Sequence, residues 1–197
     1  SDVCSSDLLP VPRRAAGVAL AIVLFGAAAI RAPNPFVEFI AQRYAGDEVL
    51  TIDEGVDATV LVQRTRARDL SLTVNGNHQA SSDDTTTYVH RRIGHFPMAL
   101  HPNARTALVI GLGGGATAGA VSVHTGVQVD VVELSSSVVR ASSFFEAGNY
   151  GVLSRPNVTL LVDDGRNFLM LTPRRYDVIT ADVIHPIYAG SGNLYSR

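Results

Sequence analysis

The sequence predicts an α/β fold built on a parallel sheet, preceded by a small β-hairpin unit and an apolar helix. Three observations carry this. Short apolar segments at 107–110, 127–132, 158–162 and 177–181 alternate with helical stretches, the pattern of crossovers between parallel strands. The first segment runs into a glycine-rich turn and a small-residue helix start, TALVIGLGGGATAG at 106–119. Ahead of it, 49–79 alternates apolar and polar residues between turn signals, which reads as a β-meander.

Composition narrows the field. In 197 residues, 46% of them hydrophobic, there is room for one ordinary domain and an appendage. A formal net charge of −2, with no basic run beyond pairs such as Arg13-Arg14 and Arg91-Arg92, argues against nucleic acid as a partner. A single cysteine, Cys4, excludes an internal disulfide, and the six histidines form no paired ligand motif. No metal site is expected.

Taken in order, residues 1–14 carry no targeting pattern, and SDVCSSDL at 1–8 reads as a linker or non-native segment. Residues 15–31 hold the uncharged run AAGVALAIVLFGAAAI between Arg13-Arg14 and Arg31. As a helix that run spans about 24 Å, short of the roughly 30 Å hydrocarbon core. It is read as a transmembrane helix, with a signal-peptide core and a buried soluble helix as the alternatives. Residues 47–82 form the hairpin unit: 60–63 and 70–74 are strands, and Asn75-Gly76 is a strong hairpin dipeptide. Residues 83–197 form the nucleoside-binding domain, opening with a helix over 84–100 that ends before His101-Pro102. The chain stops at Tyr195-Ser196-Arg197, just after a fourth strand; a doubly wound sheet ordinarily continues there, so a C-terminally truncated domain is expected.

The site is sought at the glycine turn. Glycines tolerate positive φ and let backbone N–H groups approach a ligand. Gly111, Gly113 and Ala116 fit the G-x-G-x-x-[GA] spacing, a weak signal alone. Glu133 ends the second strand about 20 residues later, where a carboxylate can accept both ribose hydroxyls. Asp163-Asp164-Gly165 follows the third strand, where a carboxylate suits the adenine amino group of an adenosyl-sulfonium ligand better than it suits a dinucleotide. The plainer alternatives are a solvated strand-end Glu133, a helix-capping Asp164, a loop carboxylate at Asp182, and a core Tyr88.

With the glycine corner, Glu133, Asp164-Gly165 and Tyr176-Asp177-Val178-Ile179 aligned behind the hairpin, the chain from about 49 to the end resembles the spermidine synthase (polyamine aminopropyltransferase) family. It is most similar to that family's membrane-fused branch. The resemblance implies a Rossmann-like, methyltransferase-type sheet and aminopropyl transfer from decarboxylated S-adenosylmethionine to an amine such as putrescine. That donor is a co-substrate, and no prosthetic group is implied. Gln79, Gly111, Gly113, Glu133, Asp164 and Gly165 would bind the nucleoside. Asp84 and Tyr88 would approach the aminopropyl donor and amine acceptor, and Asp182 would deprotonate the attacking amine. Two departures stand out. Gly114 and His185 occupy places where the family carries aspartates, so nucleoside binding carries over better than polyamine specificity. The competing functions are a methyltransferase using S-adenosylmethionine and a membrane-tethered nucleoside-binding module without turnover. A membrane-associated location is expected, with the catalytic domain on the cytoplasmic side because the adenosyl donor is a cytosolic metabolite. A homodimer is compatible with this reading.

Overall fold

A computed structural model describes residues 11–31, 38–39, 42–43 and 46–181. The chain divides into two compact units, Ser1–Tyr44 and Ala45–Arg197.

In the first unit, α1 (Val11–Arg31) is one helix, exposed along most of its length. Among the described residues no helix is long and apolar enough to cross a membrane. The transmembrane reading of 15–31 is therefore not supported, and the membrane partner expected on its account finds no support here: the segment is helical, but its uncharged stretch falls short of the hydrocarbon thickness.

The second unit opens with an antiparallel meander of β1 (Glu48–Glu54), β2 (Thr59–Arg64), β3 (Leu70–Val74) and β4 (Asn77–Ser81), in spatial order β1-β2-β3-β4. Asn75 (φ 50°) and Gly76 (φ 77°) make the two-residue turn between β3 and β4. Two left-handed residues in succession give a turn whose twist matches the flanking strands. Asn75 reinforces it by accepting the Thr59 N–H through Oδ1 at 2.9 Å.

Helix α2 (Asp84–Leu100) follows. Asp83 caps it, accepting the Thr86 N–H at 2.9 Å, and these hydrogen bonds hold its carboxyl down to about 2. The parallel sheet comprises β5 (Thr106–Ile110), β6 (Gln128–Glu133), β7 (Val158–Val162) and β8 (Val178–Ala181), in spatial order β7-β6-β5-β8. Its connections are α3 (Ala116–Ser122), α4 (Ser136–Ser142), α5 (Glu146–Asn149) and α6 (Gly165–Leu171), with short 3-10 turns at Ser143–Phe145 and Val152–Ser154. The chain lays β6 and β7 on one side of β5, then returns to place β8 on the other. The carboxyl end of β5 is therefore the topological switch point, where open α/β sheets bind ligands.

Alternate residues of β5 feed two cores. Ala107 and Val109 pack with Val121, Val129, Val131 and Met98, whereas Leu108 and Ile110 pack with Val132, Leu161 and Phe168. A third cluster joins the meander to α4 through Val60, Val62, Leu72, Ala80, Val138 and Phe145. Helix α4 thus belongs to both sheets, and its Arg140 closes the join with an ion pair to Asp53 at 2.6 Å. Gly94 lets α2 lie directly on α3, since a Cβ there would stand 2.4 Å from the Thr117 carbonyl oxygen.

The Tyr176-Asp177 motif works at the other end of the sheet. Asp177 Oδ2 accepts the N–H groups of Arg105 and Thr106 at 2.8 and 2.9 Å, which lowers its carboxyl pKa. Tyr176 donates its hydroxyl to Asp130 at 2.6 Å, and Arg174 pairs with the same carboxylate. The motif clamps β8 to β5 and β6.

Candidate functional site

The corner after β5 is built from backbone that only glycine adopts readily. Gly111, Gly113 and Gly115 have φ of 86°, 51° and 85°, in the left-handed region that costs a Cβ-bearing residue. The Gly111 N–H donates to the Val132 carbonyl at 2.8 Å and the Gly115 N–H to the Leu112 carbonyl at 2.7 Å.

Glu133 is buried, 8% exposed, so the solvated strand-end alternative does not hold. Its Oε2 accepts the Leu112 N–H at 2.8 Å and its Oε1 the Ser135 N–H at 2.9 Å. A carboxylate has about four acceptor positions. Two tie the glycine corner to the β6–α4 turn, and two meet no donor among the described residues. Asp164 is the N-cap of α6, accepting the Asn167 N–H at 2.8 Å. Capping and a position in the site wall coexist there. Gly165 is required by packing: a Cβ would stand 2.5 Å from Ile110 Cγ2.

Between the meander and the carboxyl ends of β5 and β6 lies a cavity of about 1440 Å³. Gln79 lines it from β4, Gly111 and Gly113 from the corner, Glu133 from β6, and Asp164 and Gly165 from the start of α6. Asp84 lines it from the first turn of α2. Seven residues spread over 87 positions of sequence thus share one wall.

Tyr88 does not join them. The residue is 60% exposed and stands in a neighbouring shallow depression with Asp84, Thr87 and Arg91, the Arg92 guanidinium 5.3 Å from its ring centroid. Neither the cavity contact nor the core alternative describes it. Asp182 and His185 lie outside the described residues. Gly114 faces Ala80 and Phe145: a Cβ there would be 3.0 Å from Ala80 Cβ and 3.5 Å from the Phe145 ring. That stretch of wall is apolar.

Sequence reasoning missed the groups that hold the corner from behind. Asn149 donates from Nδ2 to the Gly114 carbonyl at 3.0 Å. Arg91 donates to the carbonyls of Gly148 and Ala147 at 3.0 and 3.3 Å and lies 4.4 Å from the Tyr150 ring centroid. An Asn before Tyr-Gly reads locally as an ordinary turn residue, so no signal marked it. Among the described residues, no cluster of three or more His, Cys, Asp or Glu side chains is placed to hold a metal ion.

A parallel sheet with a glycine corner at its switch point, a buried strand-end glutamate and a facing β-hairpin defines an α/β protein with its cavity where open sheets of this kind bind ligands. The spermine/spermidine synthase domain matches residues 86–197, and the chain belongs to that family. Among its relatives, the polyamine aminopropyltransferase of Klebsiella pneumoniae subsp. pneumoniae is 30% identical over 155 residues, covering 78% of this chain and 54% of the relative. The polyamine aminopropyltransferase of Methanocaldococcus jannaschii is 33% identical over 123 residues, 62% of this chain and 42% of the relative. The chain spans about half the length of the curated relatives it matches. The fold is similar to that of a spermidine synthase crystallised with the transition state analogue AdoDATO, with TM-score 0.68 and 21% identity over 76% of this chain and 51% of that one. It is also similar to the spermidine synthase from Thermotoga maritima, with TM-score 0.63 and 21% identity over 68% of this chain and 48% of that one.

Proposed function

We propose that this chain carries the nucleoside-binding and catalytic part of an aminopropyltransferase, which moves the aminopropyl group of decarboxylated S-adenosylmethionine to an amine such as putrescine. The observation that carries the reading is the convergence of Gln79, Gly111, Gly113, Glu133, Asp164 and Gly165 on one cavity in a member of the spermine/spermidine synthase domain family. Glu133 has the acceptor positions for two ribose hydroxyls, and Asp164 presents a carboxylate to the adenine amino group.

The chemistry is a displacement at carbon. The lone pair of a neutral amine forms the new C–N bond while the C–S bond breaks, and its electrons neutralise the sulfonium as methylthioadenosine leaves. The sulfonium is already a good leaving group. The protein must align the two reactants and remove a proton, because a free alkylamine with a pKa near 10 is mostly protonated at neutral pH. Asp182 is proposed as that base, and Asp84 as the acid that holds an ammonium group of donor or acceptor. Tyr88, beside Asp84, is proposed to border the acceptor's path. A cytosolic donor favours a cytoplasmic location for the catalytic unit.

The apolar wall at Gly114 supports a second reading, a methyltransferase-type use of S-adenosylmethionine, because no carboxylate stands at that position to select the decarboxylated donor. Calorimetry of the protein with both sulfonium compounds, followed by mass analysis of products with putrescine, separates the two. Tighter binding of the decarboxylated donor and formation of methylthioadenosine with spermidine support aminopropyl transfer. Tighter binding of S-adenosylmethionine, or release of S-adenosylhomocysteine, overturns it. Asp182→Asn should abolish turnover while leaving nucleoside affinity nearly unchanged; turnover that survives assigns the base elsewhere.

A further inference from the structure

The glycine corner has an unusual mechanical problem. Four of the five residues from 111 to 115 are glycine, so the loop that must hold still against a ligand is built from the residues with the most backbone freedom to lose. The N–H groups of Gly113 and Gly114, both in the cavity wall, engage no acceptor among the described residues. They are the donors the corner offers to a ligand, and their direction depends on whatever fixes the peptide planes on either side.

Asn149 fixes them. It is 2% exposed and uses both ends of its amide. Nδ2 donates to the Gly114 carbonyl at 3.0 Å and to the Ser142 carbonyl at 3.1 Å. Oδ1 accepts the N–H groups of Gly151 and Val152 at 3.0 and 3.4 Å. The side chain is saturated within the protein, so it is no ligand contact. Its backbone is equally committed: a Cβ on Gly119 would stand 2.0 Å from the Asn149 carbonyl oxygen, so α3 rests directly on this turn. The turn is itself held in shape, with Tyr150 and Gly151 both at positive φ.

We propose that Asn149 is a positioning residue for the nucleoside site: its Nδ2 sets the orientation of the Gly114 peptide, and through it the ligand-facing amides of the corner. This rests on the nucleoside-binding reading above. The donor end carries the positioning, and the acceptor end holds the turn. Asn149→Asp separates the two. The carboxylate keeps the acceptor for Gly151 and Val152, but turns an oxygen toward two carbonyl oxygens, which expels the Gly114 carbonyl. Burial and those two carbonyls favour the neutral acid, and once protonated the group can again donate a hydrogen bond to Gly114.

The test uses methylthioadenosine as probe, with calorimetry on wild type and Asn149→Asp at pH 8 and pH 5.5. Expected is an affinity at least tenfold weaker in the variant at pH 8, with the variant-to-wild-type ratio narrowing at pH 5.5. In turnover, the donor KM should rise with the acceptor KM unchanged. Equal affinities at pH 8, or a loss of the same size at both pH values, overturn the proposal. Failure of the wild type to bind the probe sinks the functional reading instead. If the variant does not fold, amide exchange on the wild type decides: Gly115 and Gly151 should exchange together as one protected unit, whereas loop-like exchange at Gly115 beside a protected Gly151 overturns the assignment.

Discussion

Glu133 Oε2 accepts the Leu112 N–H at 2.8 Å, so the acid proposed to hold the ligand's ribose also holds the loop against which that ligand lies. Binding and stability are coupled at this residue. Glu133→Ala strands two backbone donors, those of Leu112 and Ser135, and unpaired buried donors cost about 1–3 kcal/mol each. The variant should lose about 2 kcal/mol or more of folding stability in urea titrations as well as nucleoside affinity. Glu133→Gln should be intermediate, because the two N–H groups sit on different carboxylate oxygens and glutamine replaces one of these with an NH2 that cannot accept. Unchanged stability in the alanine variant would mean that water replaces the carboxylate.

Asp164 has two jobs that one pair of substitutions separates. Asn caps a helix about as well as Asp, whereas Ala forfeits about 1 kcal/mol. Asp164→Asn should therefore melt near the wild type yet bind an adenosyl ligand more weakly, since the charge opposite the adenine amino group is gone. Asp164→Ala should lose both. Equal binding by the asparagine variant and the wild type would leave Asp164 as a cap alone.

Two neighbouring glycines should behave in opposite ways. Gly119→Ala drives a methyl into the Asn149 carbonyl, 2.0 Å away. Neither backbone can yield, so the cost should exceed about 3 kcal/mol, at the upper end of overpacking penalties. For Gly114→Ala the nearest atoms are Ala80 Cβ at 3.0 Å and the Phe145 ring at 3.5 Å, none of them backbone, so a shift of a few tenths of an ångström between β4 and the corner makes room. It should cost less than about 1 kcal/mol. Thermal melts of the two variants side by side test the packing.

His95 and His124 make an acid-labile contact. Nδ1 of His95 lies 3.1 Å from Nε2 of His124, so the pair can share one proton there but not two. Burial, then His124, then Arg91 lower the His95 pKa below its ordinary 6.5. Between that lowered value and 6.5 the unfolded chain binds more protons than the folded one, so stability rises with pH through this window and falls as pH drops through it. His95→Phe should flatten the stability profile below pH 6.5. An unaltered profile would show that other groups set the acid limit.

A second loss belongs at lower pH. The Asp83 carboxyl, held to about 2 by the Thr86 N–H and the Ser81 hydroxyl, and that of Asp177, lowered by the N–H groups of Arg105 and Thr106, contribute stability above about 3.8 that disappears as pH falls through their folded values. Asp83→Asn should retain the cap and weaken that dependence. Circular dichroism between pH 5 and pH 2 measures it.

The sequence alone determined the features that short-range chemistry writes. Strand and helix periodicity laid out the meander, α2 and the parallel strands; Asn75-Gly76 demanded a left-handed turn; and the four glycines among 111–115 marked a corner with little Cβ cover. Asp164 was legible as a cap and Glu133 as a strand-end acid at nucleotide spacing. Tertiary structure decided what those residues touch. Only the return of β8 to the far side of β5 places the corner at a switch point, and only packing buries Glu133 and turns its oxygens onto Leu112 and Ser135. Asn149, 35 residues from Gly114, carries no local mark of its contact with it. Tyr88 falls outside the cavity, in the neighbouring depression that also borders Asp84, Thr87 and Arg91. Local periodicity depends on neighbours along the chain, whereas these contacts depend on distances that exist only once helices and sheets have packed.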